Sequence, residues 1–295
     1  MHPILFRIPG LGLPIYSFGA MIAVAFFLAS LYLERLGRKF GDDPEHDPPK
    51  YAALSLWVLL GVVGGGRLLY VIVHPEEFTR APDGSVEGGV TVIGRVLAIW
   101  NGGLVFYGGF IAAFLLGLWR LKAYKLRTWH AADLTMIAGF VGLGLGRIGC
   151  YLVGDDHGRL CDPSLPFPIS LTVPDPLPEK SFFDPAFAGK AVYATQIWMM
   201  VNGFGIAAIG RWIVGRKGFA GQATFTMTAI YSVTRGIIEY FRGDDAARGY
   251  TDTMLFGHSV RLYTSVKIGV VMLPISIAML IWLRSRARKL QTASA

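Results

Sequence analysis

Residues 129–159 read WHAADLTMIAGFVGLGLGRIGCYLVGDDHGR. The first part, 129–153, is almost continuously apolar, and a helix needs about 20 such residues to cross the hydrocarbon of a bilayer. Arg147 sits inside the glycine-rich end of that run, and two aspartates and a histidine follow at once. A charged side chain near the bilayer centre costs about 2.5–3.5 kcal/mol on insertion scales, so such residues mark functional sites by default. The stretch therefore predicts a membrane-spanning helix that ends on a permanent cation with something to hold.

The whole chain agrees with that reading. It has 295 residues, 53% hydrophobic and only 16% charged, with a mean hydropathy of +0.47. A water-soluble domain carries about 25% charged residues. The net charge of +8 admits nucleic acid or anionic lipid as a partner; the apolar composition favours lipid and sets nucleic acid aside. Two cysteines, Cys150 and Cys161, lack metal-type spacing and are too few for a disulfide framework. A single bridge is open to them if their loop faces an oxidising compartment, and a pair of unlinked thiols is the simpler reading. The first residues, MHPILFRIPGLGLPIYSFG, lack the basic start, apolar core and small-residue cleavage site of a signal peptide.

Seven apolar stretches predict seven spans, at about 16–36, 51–73, 103–121, 129–153, 193–214, 219–241 and 262–283. The expected fold is all-α: one polytopic integral-membrane domain over 1–295, with periplasmic loops. Basic residues follow alternate spans: Arg35, Arg38 and Lys39; Arg120, Lys122, Lys125 and Arg127; Arg211, Arg216 and Lys217; Arg284, Arg286, Arg288 and Lys289. The bias of lysine and arginine toward the cytoplasm then puts the N-terminus outside and the C-terminus inside. The Pro-, Phe- and Asp-rich loop at 154–191 is external; its prolines exclude a long helix, and its apolar content predicts packing on the membrane surface or over a site. The segment 75–100 is also external, with a short strand or an interfacial helix.

Further charges lie inside the spans. Arg67 follows GVVGGG in the second, and YSVTRGIIEYFR in the sixth contains Arg235, Glu239 and Arg242. Arg235 and Glu239 are four apart and share a helix face; at seven apart, Arg242 is expected on the same face. The structural reading of that pair is an intrahelical ion pair, and that of Arg67 is snorkelling or helix–helix bonding. The functional reading is an anion. Guanidinium is planar, always charged and donates two parallel bonds to phosphate oxygens, so arginines converging near the outer leaflet suit a phosphate. The glycines around Arg147 let a helix or a lipid headgroup approach its backbone, although helix packing alone explains them too. Asp156 and His157 read as solvated loop residues, or as substitutes for a base.

At these residues the chain resembles the prolipoprotein diacylglyceryl transferases of bacteria. GRIGCYLVGDDHG (146–158) is similar to the family signature G-R-x-G-N-F-x-N-x-E-x-x-G, with Arg147 on the arginine that binds the lipid phosphate and Gly158 on the last glycine. NGGLVFYGG (101–109) resembles D/E/S-G-G-L/M-S-F-H-G-G; RGIIEYFRGDD (235–245) resembles R-x-x-x-E-x-x-R, placing Arg235 and Glu239 on the essential arginine and glutamate. YATQIW is similar to H-P-S/T-Q-L-Y, retaining Gln196, and GGGRLLYV to G-G-R-I/L-x-Y-V. The chain departs at Tyr107, where the family has a histidine, at Cys150 for asparagine, Asp155 for glutamate, Phe18 for tyrosine and Tyr193 for histidine.

The resemblance implies transfer of a diacylglyceryl group from phosphatidylglycerol to the lipobox cysteine of a prolipoprotein signal peptide, at the outer leaflet of the bacterial inner membrane. It implies catalytic residues Arg147, Arg235, Glu239, Asp155 and Tyr107. The implied substrate-binding residues are Arg147, Arg235, Arg242, Gly103, Gln196 and Cys150. No cofactor and no metal is expected. GLGLGR lacks the strand–turn–helix context of a nucleotide fingerprint, and there is no zinc-type spacing. One alternative is a non-catalytic relative that binds phospholipid or signal peptide, favoured by Tyr107 and Cys150. A transporter with an arginine-lined path is disfavoured, because the charges cluster at the outer ends and no inverted repeat is visible.

Overall fold

The computed structural model describes residues 1–10, 12–79, 89–98, 103–216, 218–244, 249–255 and 258–293. Trp100, Asn101, Gly102, Lys217 and Asp245, and with them parts of the 75–100 segment and of two motifs, lie outside the described residues. The helices are α1 Ser17–Phe40, α2 Asp47–Val73, α3 Glu76–Thr79, α4 Gly89–Leu97, α5 Phe106–Ala123, α6 Thr128–Val153, α7 Thr195–Val214, α8 Gln222–Tyr240 and α9 Thr264–Ala293. Three antiparallel hairpins interrupt them: β1 Ile4–Arg7 with β2 Pro14–Tyr16, β3 Ser170–Thr172 with β4 Ala191–Tyr193, and β5 Tyr250–Leu255 with β6 His258–Tyr263.

A long helix occupies each of the seven expected stretches. Five of them, α1, α2, α6, α7 and α9, are long and apolar enough to cross a membrane. The other two, α5 and α8, fall short of that measure among the described residues. Helix α5 has 18 residues and Arg120 and Lys122 in its last turn; α8 has 19, among them four threonines, Ser232, Arg235 and Glu239. The hairpins are absent from the all-α expectation, because strands as short as three residues leave little alternation to read. Leu262, the expected start of the last span, belongs to β6. Segment 75–100 contains the short α3 and the amphipathic α4 rather than a strand among its described residues.

The chain divides into two compact units, Met1–Leu33 with Ala132–Ala295, and Glu34–Ala131. In the smaller unit α2 packs along α5, and glycine permits the contact. A Cβ on Gly65 would lie 2.3 Å from Ala112 Cβ and 2.5 Å from the Gly108 carbonyl oxygen, well inside van der Waals contact. In membranes small residues of this kind let backbones approach. Arg67 of α2 is buried, and its guanidinium donates to the carbonyls of Val96 (3.0 Å), Arg95 (2.7 Å), Ala98 (3.3 Å) and Gly103 (3.0 Å). It caps the C-terminal end of α4, where carbonyls lack helical partners. The helix-bonding reading of Arg67 is the one observed, and the snorkelling one is not.

In the larger unit the glycines of α6 meet α7: a Cβ on Gly203 would sit 3.0 Å from the Gly144 amide nitrogen, and one on Gly144 2.8 Å from the Phe204 ring. Helix α8 begins on a cap supplied by α6. The buried Asp133 carboxylate accepts from the Gly221 amide (2.9 Å), the Thr224 amide (2.8 Å) and the Thr224 hydroxyl (2.9 Å). A carboxylate at a helix N-terminus satisfies orphan donors and faces the positive end of the dipole. Helices α6 and α8 are thereby tied together about three turns of α8 before Arg235.

The 154–191 loop builds a small core together with the residues that follow it. Leu171, Val173, Phe183, Val192 and Ala194 are buried together, and a single 3₁₀ turn, Pro185–Phe187, carries Phe187 against them. Part of its apolar content is used in this core, while Leu160, Phe167, Ile169 and Phe182 remain exposed.

Candidate functional site: an arginine–carboxylate cluster at the ends of α6 and α8

Helix α6 ends at Val153, and Gly154 turns the chain with φ +82°. Asp156 follows at φ +54°, in the left-handed region that aspartate enters more readily than most residues. The backbone here is pinned from several sides. Asp156 N–H donates to its neighbour's carboxylate, Asp155 Oδ1, at 2.9 Å. From the first turn of α7, Thr195 Oγ1 donates to the Asp156 carbonyl at 2.8 Å and Gln196 Nε2 to the Asp155 carbonyl at 3.0 Å. Gln196 is fully buried.

Gly158 pairs with Arg242 in an isolated antiparallel bridge, and the Gly243 amide donates to the His157 carbonyl at 3.0 Å. This bridge sets the position of Arg242. The residue lies beyond the end of α8, so it does not share a helix face with Arg235 as its spacing suggested. It arrives by strand-like pairing with the loop after α6.

The charges then meet. The Asp156 carboxylate takes Arg147 Nη1 on Oδ2 and Arg242 Nη2 on Oδ1, bridging guanidinium groups from two parts of the chain. Arg242 also donates through Nε to Asp244 Oδ1 at 2.9 Å. Arg235 pairs with Glu239 one turn along α8, and the Glu239 side chain is only 2% exposed. The charges of Arg242 and Arg147 both act on Arg235. Each of these three guanidinium groups thus already faces a carboxylate.

Asp155 does not hold Arg147; its carboxylate accepts the Asp156 amide. Burial pushes the Asp155 carboxyl up from its ordinary value, the Asp244 charge adds to the rise, and Arg242 and Arg147 oppose it. Asp156, read as a solvated loop residue with His157, is instead the centre of the cluster. His157 is buried too, its ring 4.7 Å from that of Phe183 and 4.9 Å from that of Phe187. Adjacent acids after a helix end look alike in a sequence; which of them takes the guanidinium groups is set by the backbone, with its positive φ at Asp156.

Cys150 is buried, with Sγ 3.8 Å from Arg147 Nη1 and 3.8 Å from Asp156 Oδ2. Both cysteines are free thiols. The ligand atoms of Cys150, Asp155 and Asp156 lie within 4.8 Å of one another, a trio that residue spacing did not suggest. Two arginines already bind Asp156 there, so a cation entering would meet their repulsion, whereas an anion would replace a carboxylate with like charge.

Gly103 and Tyr107 belong to the smaller unit. Gly103 has a local reason to be glycine: φ is +75°, and a Cβ would lie 2.7 Å from Arg67 Nη1. Tyr107 is about half exposed near the start of α5. Thr195 and Asp244 were not anticipated in the site. Thr195 adjoins the retained glutamine of YATQIW, and Asp244 follows the arginine motif directly, which is the signal that would have found them.

Comparison with known proteins identifies the family. A family model for prolipoprotein diacylglyceryl transferase matches residues 3–282. A phosphatidylglycerol–prolipoprotein diacylglyceryl transferase of Clostridium tetani is 27% identical over 269 residues, covering 90% of this chain and 94% of the relative. Proteins of the same name from Pseudomonas entomophila and Geobacter sulfurreducens are each 28% identical, covering 81% and 84% of this chain and 80% and 85% of their own. With its apolar helices the chain is an integral membrane protein, and it belongs to the prolipoprotein diacylglyceryl transferase family.

Proposed function

We propose that this chain transfers the diacylglyceryl group of phosphatidylglycerol to the lipobox cysteine thiol of prolipoproteins. A sulfur–carbon bond forms as the carbon–oxygen bond to the phosphate breaks. The electron pair leaves on glycerol-1-phosphate, and the thiol proton goes to a base. Arg147, Arg235 and Arg242 bind the headgroup phosphate and stabilise the charge that gathers on it as it leaves. Glu239 orients Arg235 from one turn away.

Asp155, whose carboxyl is raised by burial, takes the thiol proton. A free cysteine thiol has a pKa of about 8.5, so both the base and the arginine field promote thiolate. Tyr107 donates a hydrogen bond where relatives have a histidine. Gly103, Gln196 and Cys150 contribute to the substrate surface, Gln196 by holding the Asp155 backbone. The chain works as one integral-membrane domain of the bacterial inner membrane, N-terminus outside and C-terminus in the cytoplasm. Its partners are phosphatidylglycerol, prolipoprotein signal peptides and membrane lipid.

The observation that carries this reading is the convergence of Arg147 and Arg242 on the two oxygens of one small anion, the Asp156 carboxylate. The decisive experiment incubates purified protein with phosphatidylglycerol and a lipobox peptide and weighs the peptide. A diacylglyceryl addition on its cysteine is expected; Arg147→Ala should lower the rate by about 100-fold or more while the protein still inserts in the membrane. An unmodified peptide with the wild-type protein sinks the catalytic reading. The departures at Tyr107 and Cys150 favour a second reading, a relative that binds lipid or signal peptide without transferring. Failure to rescue a cell depleted of its own transferase would select it.

A further inference from the structure

An anionic headgroup entering the cluster meets a full site. Arg147 is ion-paired with Asp156, Arg242 with Asp156 and Asp244, and Arg235 with Glu239. A phosphate added to this arrangement would lie beside carboxylates, and like charges in a partly buried site repel strongly. One carboxylate therefore has to leave.

The three acids partnering these arginines differ in their freedom to do so. Glu239 is fixed within α8 and almost wholly buried. Asp244 is joined to Arg242 through both carboxylate oxygens, two residues away along the chain. Asp156 joins two guanidinium groups from different segments, Arg147 of α6 and Arg242 beyond α8. Its side chain is 22% exposed, the most of these acids. Its backbone is held independently of its carboxylate, by the Thr195 hydroxyl and by Asp155 Oδ1. Rotation of the side chain can thus vacate the space between Arg147 and Arg242 without moving the loop.

We infer that Asp156 is a displaceable stand-in for the headgroup phosphate, its carboxylate occupying the place between Arg147 and Arg242 until an anionic lipid replaces it. When the leaving phosphate has formed, return of the carboxylate helps to expel it. Asp156 is a positioning residue in this scheme; it lowers the affinity of the site for both lipid and phosphate product.

This inference rests on the proposed binding of an anionic headgroup, and it is tested by binding, which can be measured whether or not transfer to a thiol occurs. Phosphatidylglycerol is titrated onto the purified full chain and its Asp156→Asn and Asp156→Ala variants, with glycerol phosphate as a second ligand. If the carboxylate fills the site nine-tenths of the time, removing it tightens binding about tenfold. Both ligands are expected to bind tighter to both variants. In the transfer assay the KM for lipid falls, inhibition by glycerol phosphate strengthens, and kcat does not rise. Tightening for glycerol phosphate alone would make the occupant a soluble phosphate and overturn the lipid assignment. Unchanged or weaker binding in both variants, or loss of fold in both, would show Asp156 to be a fixed support and overturn the proposal.

Discussion

Neighbouring aspartates turn their carboxylates to different partners: Asp155 toward a backbone amide, Asp156 toward two guanidinium groups. Because the Asp155 carboxyl is raised by burial and by Asp244, its folded value lies above the unfolded one, about 3.9. Its contribution to stability is therefore fully present below the unfolded value and is lost as pH rises through the folded one. Asp155→Asn removes that dependence. Thermal unfolding measured from about pH 4 upward should show a loss of stability in the wild-type protein that is smaller in the variant; equal slopes would mean that Asp155 titrates normally. Residue type and spacing pointed to Arg147, Arg235 and Glu239, because a charge in an apolar run is conspicuous. They did not distinguish Asp155 from Asp156, since the choice rests on backbone dihedrals. Nor did they foresee the carbonyls around Arg67, three of which come from residues at the end of α4.

At the scale of elements, adjacent glycines in α2 do unequal work. A Cβ on Gly64 would meet nothing within 4 Å, whereas one on Gly65 would overlap Ala112 and Gly108 of α5. Gly65→Ala should thus cost about 1–3 kcal/mol through overpacking. Gly64→Ala should be neutral or slightly stabilising through the better helix propensity of alanine. Thermal unfolding in one detergent separates the two; equal effects would remove the close α2–α5 contact from the account. Helix positions were legible because apolar length and flanking charge are strong, additive signals. The bridge of Gly158 with Arg242 was not, because it joins residues far apart in sequence through a single pairing.

For the molecule as a whole, apolar composition and low charge identified a membrane protein. Composition is less informative about how many helices cross, since α5 is short and ends in charges and α8 carries charges that packing shelters. The basic residues in the C-terminal part of α9, Arg284, Arg286, Arg288 and Lys289, predict a cytoplasmic C-terminus. A fluorescent protein fused there should fold and glow, and an alkaline phosphatase fused there should be inactive; the reverse pattern would invert the proposed topology.

The two ends of the 154–191 loop are stitched to each other. Gly158 N–H donates to the Tyr193 carbonyl at 3.1 Å, Tyr193 N–H to the Arg159 carbonyl at 3.1 Å, and Leu160 bridges Val192. Between those stitches Phe183 and Phe187 pack on the His157 ring, whereas Phe167 and Phe182 are exposed, so change at the exposed positions leaves the acids and the start of α7 in register. Variation can therefore accumulate at those exposed positions without retuning the charged centre, which makes them the natural graft points for exchanging segments between relatives.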